Sequence, residues 1–373
     1  MRRIARAAGL GIVLALLLGS TTSVGTAAAA HLGCGDVVTQ NVTLDSDIGP
    51  CAGTGLIVGA DDITLNLGGH RVFATTNPGE GAGILLEGRA RVRVTNGVVE
   101  HFDAGVAIVG GSGNQVIELQ AIRNIGAGTT DFGDGIAISA SADNLVRNNL
   151  VRGNGPFSGI GVFGVESMRN VIDRNVVEDN NVQSNARVNQ DDGIRLEPFT
   201  SENVVTNNRV HGSGLDGIAL FRGSSDNRVQ RNDVRRNGFH GKMHRQGDGI
   251  AVFNQADRNL IQRNQVFDNA ANGIFLRGPS FVAGARNNEI LFNGTGNNGP
   301  QPGPGGFRYD LRDGNPDCDD NRWFGNTYLT ALPACTTDGP NGRAAPPART
   351  GVVPPAPGWD QFGGSTSDRP SAS

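Results

Sequence analysis

The sequence predicts an all-β fold, a solenoid of about ten turns built from short strands. One phrase recurs about eight times between Gly83 and Asn293, for example as Asp-Gly-Ile at Asp192 and at Asp248. Inside each copy, aliphatic residues alternate with polar ones, and asparagines and glycines stand between these short runs. Self-similarity of this kind is the signature of a repeat architecture.

A glycine followed by isoleucine or valine marks each copy. These glycines are Gly83, Gly105, Gly135, Gly159, Gly193, Gly217, Gly249 and Gly273. The shortest step is 22 residues, from Gly83 to Gly105, and the longest is 34, from Gly159 to Gly193. The alternation, as in Ile250 and Val252, has the period of a strand. No stretch keeps a 3.6-residue apolar period, and the many glycines and asparagines disfavour helices.

Three short strands in a unit of about 22 residues describe one turn of a parallel β-helix. Similar side chains then lie above one another in successive turns, which are about 4.8 Å apart. Inward Ile and Val should form aliphatic stacks, and the repeated asparagines should form hydrogen-bonded ladders. We expect the corner aspartates Asp134, Asp216 and Asp248 to be turn residues of the same kind, because Asp and Gly suit a tight corner.

This pattern resembles the single-stranded right-handed parallel β-helix repeat of the pectate-lyase-like superfamily, including its secreted actinobacterial members. The resemblance covers roughly residues 36–330, with degenerate early turns at Val38–Leu44, Leu56–Val58 and Ile63–Val72. It implies the fold and leaves the activity open, because the superfamily contains lyases, hydrolases, epimerases, copper-processing proteins and non-catalytic surface proteins. Function must therefore be inferred from a site.

The two ends of the chain differ from the repeat region. Residues 1–30 have the features of a secretory signal peptide: Arg2, Arg3 and Arg6, an apolar stretch from Leu10 to Leu18, and small residues at 28–30. We expect a β-helix domain over 31–336 and a Pro/Gly/Ser-rich disordered tail over 337–373. The protein should be secreted.

Four cysteines form two pairs with equal spacing, Cys34 with Cys51 and Cys318 with Cys335. In an oxidising compartment this pattern predicts two local disulfides that cap the open ends of the solenoid. The alternative is a zinc site made from all four thiolates, which would require the two ends of a long rod to meet.

The charge of the chain bears on its partners. The formal net charge is −4 and becomes about −7 when the three arginines of the signal peptide are removed. There is no basic run interleaved with aromatic residues, which argues against nucleic acid as a partner. No second apolar segment follows the signal, so we expect no membrane contact after its removal. We expect a monomer that binds an extracellular polysaccharide.

Three turns carry extra residues just before the next Gly-Ile strand, at Asn124–Gly133, Asp179–Asp191 and Arg235–Gly247. Insertions on one face commonly mark the binding face of a repeat protein. In carbohydrate-active β-helices, which this chain resembles, such loops wall a groove above the strand that follows.

Alternation predicts the outward residues of that groove. They are Arg195, Glu197, Ala219, Phe221, Ala251, Phe253, Phe275 and Arg277. Small residues beside exposed phenylalanines should form a shallow trench for an extended polymer. The predicted substrate-binding residues are Glu197, Phe221, Asp248, Phe253, Arg245 and Arg277.

The predicted catalytic residues lie in or beside two of the long loops. They are Asp191, Asp192, Arg195, His240, Lys242 and His244. Gln190-Asp191-Asp192-Gly193-Ile194 resembles the paired-aspartate motif of polygalacturonase-type glycosidases, but the His-Gly pair and the Arg-Ile-Lys signature of that family are missing. Paired carboxylates suit glycoside hydrolysis, or they could bind calcium as a cofactor.

The third loop is the other outlier, because the repeat does not require its histidines or Lys242, the only lysine. They could act as a general base and as charge-neutralising groups in β-elimination. The alternatives are a solvated polar loop and a copper site of His240, Met243 and His244.

The leading hypothesis is a secreted protein that binds and cleaves or modifies an extracellular polysaccharide by lyase, hydrolase or epimerase chemistry. Arg195, Lys242, Arg245 and Arg277 favour an acidic polysaccharide, whereas the scarcity of Trp and Tyr counts against sugar binding. The alternatives are a non-catalytic adhesion module of the cell envelope and a copper-processing protein.

Overall fold

The protein is a rod of short parallel strands. The computed structural model describes residues 28–75, 79–126, 133–181, 192–239, 247–279, 283–299 and 308–337. Within these ranges the only helical segments are two short 3₁₀ turns, Pro316–Asp320 and Ala334–Thr336. The predicted all-β class is confirmed.

The strands stack in three columns, named sheets 1, 2 and 3 in the order in which each turn visits them. Sheet 1 contains Asp36–Val38, Leu56–Val58, Ala82–Glu87, Ala104–Val109, Ile136–Ser139, Ser158–Phe163, Asp192–Glu197, Ile218–Leu220, Ile250–Val252, Ile274–Leu276, Leu311–Asp313 and Ala331–Leu332. Sheet 2 contains Ala28–Ala30, Val42–Leu44, Thr64–Asn66, Leu145–Arg147, Val171–Asp173, Val204–Thr206, Arg228–Gln230, Leu260–Gln262, Glu289–Leu291 and Arg322–Phe324.

Sheet 3 contains Ile48–Cys51, Arg71–Ala74, Leu150–Arg152, Val176–Glu178, Arg209–His211, Asp233–Arg235, Gln265–Phe267 and Gly294–Gly296. Two longer strands, Arg93–Glu100 and Gln115–Ile122, pass through both sheet 2 and sheet 3. The described part of sheet 1 has twelve strands, somewhat more than the predicted ten turns, because Leu311–Asp313 and Ala331–Leu332 continue the sheet after the last Gly-Ile copy.

The core is a set of aliphatic stacks. In sheet 1, Ile194 pairs with Ile218, which pairs with Ile250 and then with Ile274, and all four are fully buried. Parallel pairing in register places the same residue type above itself, so each inward side chain packs on its equivalents in the neighbouring turns. β-branched residues suit such a pleated, buried surface.

Asparagine ladders hold the corners between the sheets, as predicted. The Oδ1 atom of Asn264 accepts hydrogen bonds from the backbone N–H and the side-chain amide of Asn232, both at 3.0 Å. The amide of Asn264 in turn donates to Oδ1 of Asn293 at 3.0 Å and to the carbonyl of Val229 at 2.9 Å. These bonds satisfy backbone groups that the tight corners would otherwise leave buried and unpaired.

Both predicted disulfides are present, Cys34–Cys51 and Cys318–Cys335, one near each end of the rod. Ala28–Ala30, at the predicted signal cleavage site, form a strand beside Val42–Leu44. The rest of the signal peptide and nearly all of the predicted tail lie outside the described residues, so these domain boundaries stay predictions. No helix in the described part of the chain is long and apolar enough to cross a membrane.

Candidate functional site

The three long loops all leave sheet 3 and return to sheet 1, so they share one corner of the rod. Asn124–Gly133, for example, lies between the strands Gln115–Ile122 and Ile136–Ser139. Most of their residues lie outside the described ranges. These include the predicted site residues Asp191, His240, Lys242, His244 and Arg245, whose roles stay predictions.

The strands that follow these loops present the predicted outward residues at alternate positions, so that residues of successive turns form rows. One row runs through Arg195, Ala219, Ala251 and Phe275, which are paired in register. The alanines are fully buried and Arg195 is only 3% exposed, so the prediction of an open trench over small residues is wrong. On the same outer face, the guanidinium of Arg195 packs against the Phe221 ring and that of Arg277 against the Phe253 ring.

Arg195 is held between two carboxylates. Its guanidinium donates to Oδ2 of Asp192 and, at 2.8 Å, to Oε2 of Glu197. The same group lies 4.8 Å from the centre of the Phe221 ring, a cation–π distance. Both carboxyl groups are buried, and the single positive charge of Arg195 is used within this cluster.

Arg277, three turns further on, forms a second cluster of one arginine with two carboxyl groups. Its Nη2 atom is 3.2 Å from Oδ2 of Asp248 and 3.7 Å from Oδ2 of Asp216. Its guanidinium lies 4.6 Å from the centre of the Phe253 ring, which packs on Phe221 with ring centres 4.5 Å apart. Arg277 is half-buried, so one side of this cluster reaches solvent.

The corner aspartates form a ladder of their own, as predicted for turn residues. Oδ1 of Asp192 accepts the backbone N–H of Asp216 at 3.0 Å, and Oδ1 of Asp216 accepts that of Asp248 at 2.7 Å. Asn272 continues this ladder, because its N–H donates to Oδ1 of Asp248 at 2.8 Å and its own Oδ1 accepts from Tyr309. One oxygen of each carboxyl group therefore has a structural role that asparagine can also fill.

The second oxygens differ from one aspartate to the next. Oδ2 of Asp216 is buried and has no hydrogen-bond partner, and burial raises the pKa of this carboxyl well above its usual range. The neighbouring carboxylates of Asp192 and Asp248 raise it further, against the opposing charge of Arg277. Burial likewise raises the pKa of Asp134, whose Oδ2 also lacks a partner, and that of Asp192, which Arg195 opposes.

A bound metal ion receives no support from this arrangement. Among the described residues no group of three or more His, Cys, Asp or Glu side chains is placed to hold one. The alternative copper ligands His240, Met243 and His244 lie outside the described residues.

Arg312 lies beside the predicted outward residues of sheet 1 but was not among them. Arg312 pairs with Phe275 in sheet 1, and its guanidinium lies 4.7 Å from the centre of the Phe275 ring. No carboxylate of the described residues pairs with it. The alternation rule would place Arg312 outward once Leu311–Asp313 is recognised as a strand, but a long insertion after Gly273 interrupts the repeat spacing there.

Comparisons with known proteins identify the fold. A family model described as "Right handed beta helix region" matches residues 33–188 and 157–295. A search of curated proteins found no match.

Among solved structures, the Dettilon tailspike protein is similar with a TM-score of 0.54 and 16% identity, covering 79% of this chain. This chain corresponds to 54% of the tailspike, about half its length. Pectate lyase Pel9A matches with a TM-score of 0.49 and 14% identity over 78% of this chain and 80% of that chain. The A-module of mannuronan C-5 epimerase AlgE4 from Azotobacter vinelandii has a TM-score of 0.46 and 17% identity over 78% and 75%.

At 16% identity the tailspike protein shares the architecture, and its activity remains its own. The family model covers more than half of the chain, and the observed stacking of parallel strands is what that model describes. This chain belongs to the right-handed β-helix family.

Proposed function

We propose that this protein is a secreted enzyme that binds an extended polysaccharide along the outer face of sheet 1 and hydrolyses its glycosidic bonds. In this proposal Asp216 is the general acid and Asp248 is the base or nucleophile. Glycoside hydrolysis generally requires one carboxyl group that keeps its proton and a second that is ionised.

The observation that carries the proposal is the unequal surroundings of these two adjacent carboxyl groups. Asp216 and Asp248 precede Ile218 and Ile250, which are paired, so they belong to neighbouring turns. Oδ2 of Asp216 has no partner and burial raises its pKa, which favours the protonated form. Oδ2 of Asp248, by contrast, accepts a hydrogen bond from the Arg277 guanidinium at 3.2 Å.

The outward residues of sheet 1 that the structure describes fit hydrolysis better than they fit β-elimination. A lyase needs cations to neutralise the sugar carboxylate and a base to abstract a proton. Arg195 is paired with Asp192 and Glu197, and Arg277 is shared by Asp216 and Asp248. The preference for an acidic polysaccharide therefore depends on Lys242 and Arg245, outside the described residues, and on Arg312.

The polysaccharide must gain access to carboxyl groups that are buried in the free protein. Asp216 and Asp248 are at most 1% exposed, while Arg277, which contacts both, is half-buried. We propose that the polysaccharide displaces the longer contact of Arg277 with Asp216, at 3.7 Å, and leaves the hydrogen bond of Arg277 to Asp248 in place. A bound polysaccharide would also exclude water from the site, which strengthens the electrostatic interactions inside it.

The test is the variant Asp216→Asn. Asn272 occupies the same ladder position naturally, so the substitution should preserve the fold while removing the acid. Reducing-end release should be measured on xylan, mannan, pectate and alginate, together with the ultraviolet absorbance of unsaturated ends. We expect release without that absorbance, and a loss of about 10²- to 10⁴-fold in the variant.

Two outcomes would contradict the proposal. Unsaturated ends in the wild-type reaction would indicate a lyase, and full activity of a correctly folded Asp216→Asn protein would exclude Asp216 as the acid. The variant Asp320→Asn is the control, because Asp320 is exposed and lies in the C-terminal cap.

A non-catalytic adhesion module is the second candidate function, and the burial of the corner carboxyl groups favours it. Under this alternative the wild type binds one of the same polysaccharides and releases no reducing ends. Asp216→Asn then binds as the wild type does.

A further inference from the structure

A groove runs along the same corner of the rod, on the side of sheet 3. It encloses about 740 Å³ and is lined by Asp179, His211, Gly212, Arg236, Phe239, Asp268, Asn297 and Asn298. The residues that follow the strands of sheet 3 lie in register from Asp179 through Gly212, Arg236 and Asp268 to Asn297. Four steps of about 4.8 Å give this row a length of about 19 Å.

The charged groups of the row do not pair with one another. Among the described residues, no ion pair or side-chain hydrogen bond engages Asp179, Arg236 or Asp268, although Arg236 and Asp268 are neighbours in register. Asp179, Arg236 and Asn297 are exposed and Asp268 is half-buried, so all four present polar atoms to the groove.

The corner between sheets 1 and 2 provides a comparison within the same molecule. There Asp226 and Arg258 are also neighbours in register, with the acid and the base in the reverse order. Their side chains form two hydrogen bonds, Nε to Oδ1 at 2.9 Å and Nη2 to Oδ2 at 2.7 Å. All four residues have left-handed backbones, with φ of 60° and 56° in this pair and 55° and 58° at Arg236 and Asp268. An arginine and an aspartate in stacked turns of this rod can therefore pair, and those that line the groove do not.

The chemistry of the row fits hydroxyl groups. Carboxylates accept hydrogen bonds, the guanidinium donates them, and an amide does both, so the row offers both acceptors and donors to hydroxyl groups. Phe239 adds a half-buried apolar surface at one side. The volume falls within the range of about 300–1,000 Å³ typical of ligand pockets. A polyanion would meet two carboxylates for each guanidinium, which disfavours an acidic polymer.

We propose that this groove is a second binding site, which takes a stretch of neutral oligosaccharide. It lies on the sheet-3 side of the long loops, whereas the hydrolytic site proposed above lies on the sheet-1 side. A polymer bound at both sites dissociates more slowly than a polymer bound at only one of them, because binding at the second site becomes intramolecular.

The experiment is isothermal titration calorimetry of the mature chain with the neutral hexasaccharides of cellulose, xylan, mannan and starch, and with hexagalacturonate for comparison. We expect at least one neutral hexasaccharide to bind. Asp268→Ala and Arg236→Ala should each weaken this binding at least 10-fold, while Asp226→Ala, at the comparison corner, leaves it unchanged.

Asp216→Asn separates this proposal from the hydrolytic one, since it should abolish turnover and leave the affinity at the sheet-3 groove as it is. The groove proposal is overturned if no neutral hexasaccharide binds, or if Asp268→Ala and Arg236→Ala bind as the wild type does. Tighter binding of hexagalacturonate than of every neutral sugar would also overturn it.

Discussion

At the scale of single residues, the corner aspartates combine a structural and a chemical role in one carboxyl group. Oδ1 of Asp216 accepts the backbone N–H of the next turn, while Oδ2 is buried without a partner. A buried, unpartnered oxygen destabilises the fold, and the asparagine at position 272 avoids a charge at the equivalent place. Such local costs are commonly found at functional sites, which is consistent with a chemical role for Asp216.

Asp216→Asn should stabilise the protein at neutral pH. Burial raises the pKa of Asp216 above the ordinary 3.8, so the folded state binds this proton more tightly than the unfolded state. The free energy of unfolding therefore falls as the pH rises from about 4 through the raised pKa, by about 1.4 kcal/mol for each pH unit that separates the folded from the unfolded pKa. The Asp216→Asn variant has no ionisable group at this position, so its free energy of unfolding does not fall with pH for this reason.

Urea denaturation at a series of pH values from 4 to 8 measures the effect. The stability difference in favour of Asp216→Asn should grow with pH, whereas a difference that is constant over this range would contradict the raised pKa. The exposed Asp320→Asn serves as the matched control.

At the scale of structural elements, the ladders are what joins one turn to the next. Every strand is short, with three to eight residues in all but the last described one, and gains stability mainly from the turns above and below it. The asparagine amides add hydrogen bonds at corners where the backbone has no strand partner. Asparagine is therefore as much a part of the repeat as the inward isoleucine and valine.

Removing one ladder residue should be costly. Asn264→Ala removes the Oδ1 atom that accepts the backbone N–H of Asn232 at 3.0 Å, and the side-chain amide that donates to Oδ1 of Asn293 at 3.0 Å and to the carbonyl of Val229 at 2.9 Å. We expect a loss of roughly 2–4 kcal/mol in the free energy of unfolding. Chemical denaturation measures it, and the neighbouring exposed Gln265→Ala should change stability by less than about 0.5 kcal/mol. Equal effects of the two substitutions would exclude the ladder as the source of stability.

At the scale of the whole molecule, the rod has protected ends and one corner with a candidate site on each side. Each turn contacts only its neighbours, so a disturbance at one end should stay local. The disulfides Cys34–Cys51 and Cys318–Cys335 close the two ends, where the aliphatic stacks would otherwise meet water.

The double variant Cys318→Ser/Cys335→Ser should therefore loosen only the C-terminal cap. Hydrogen exchange followed by mass spectrometry should be faster for residues 311–336 and unchanged for the central turns, for example 192–235. Faster exchange along the entire rod would mean that the cap supports the fold globally. The Cys34→Ser/Cys51→Ser variant is the mirror control, with its effect confined to the first turns.

Much of this organisation could be predicted from the sequence. The Gly-Ile repeat, the alternation around Ile250 and the equal spacing of the cysteines predicted the sheets, the aliphatic stacks and both disulfides. The outward order of Arg195, Phe221 and Arg277 also followed from alternation. Arg312 did not, because a long insertion hides the strand that carries it.

The sequence by itself determined the period, the inward and outward positions and the corner at which the long loops stand, because these depend on local spacing. The tertiary structure alone decided how outward side chains from different turns pair. Arg277 contacts Asp216 and Asp248, which lie in other turns, while Arg236 and Asp268 of neighbouring turns are left apart. Such pairings depend on distances between turns that are more than 20 residues apart in the chain, and these distances exist only once the turns have stacked.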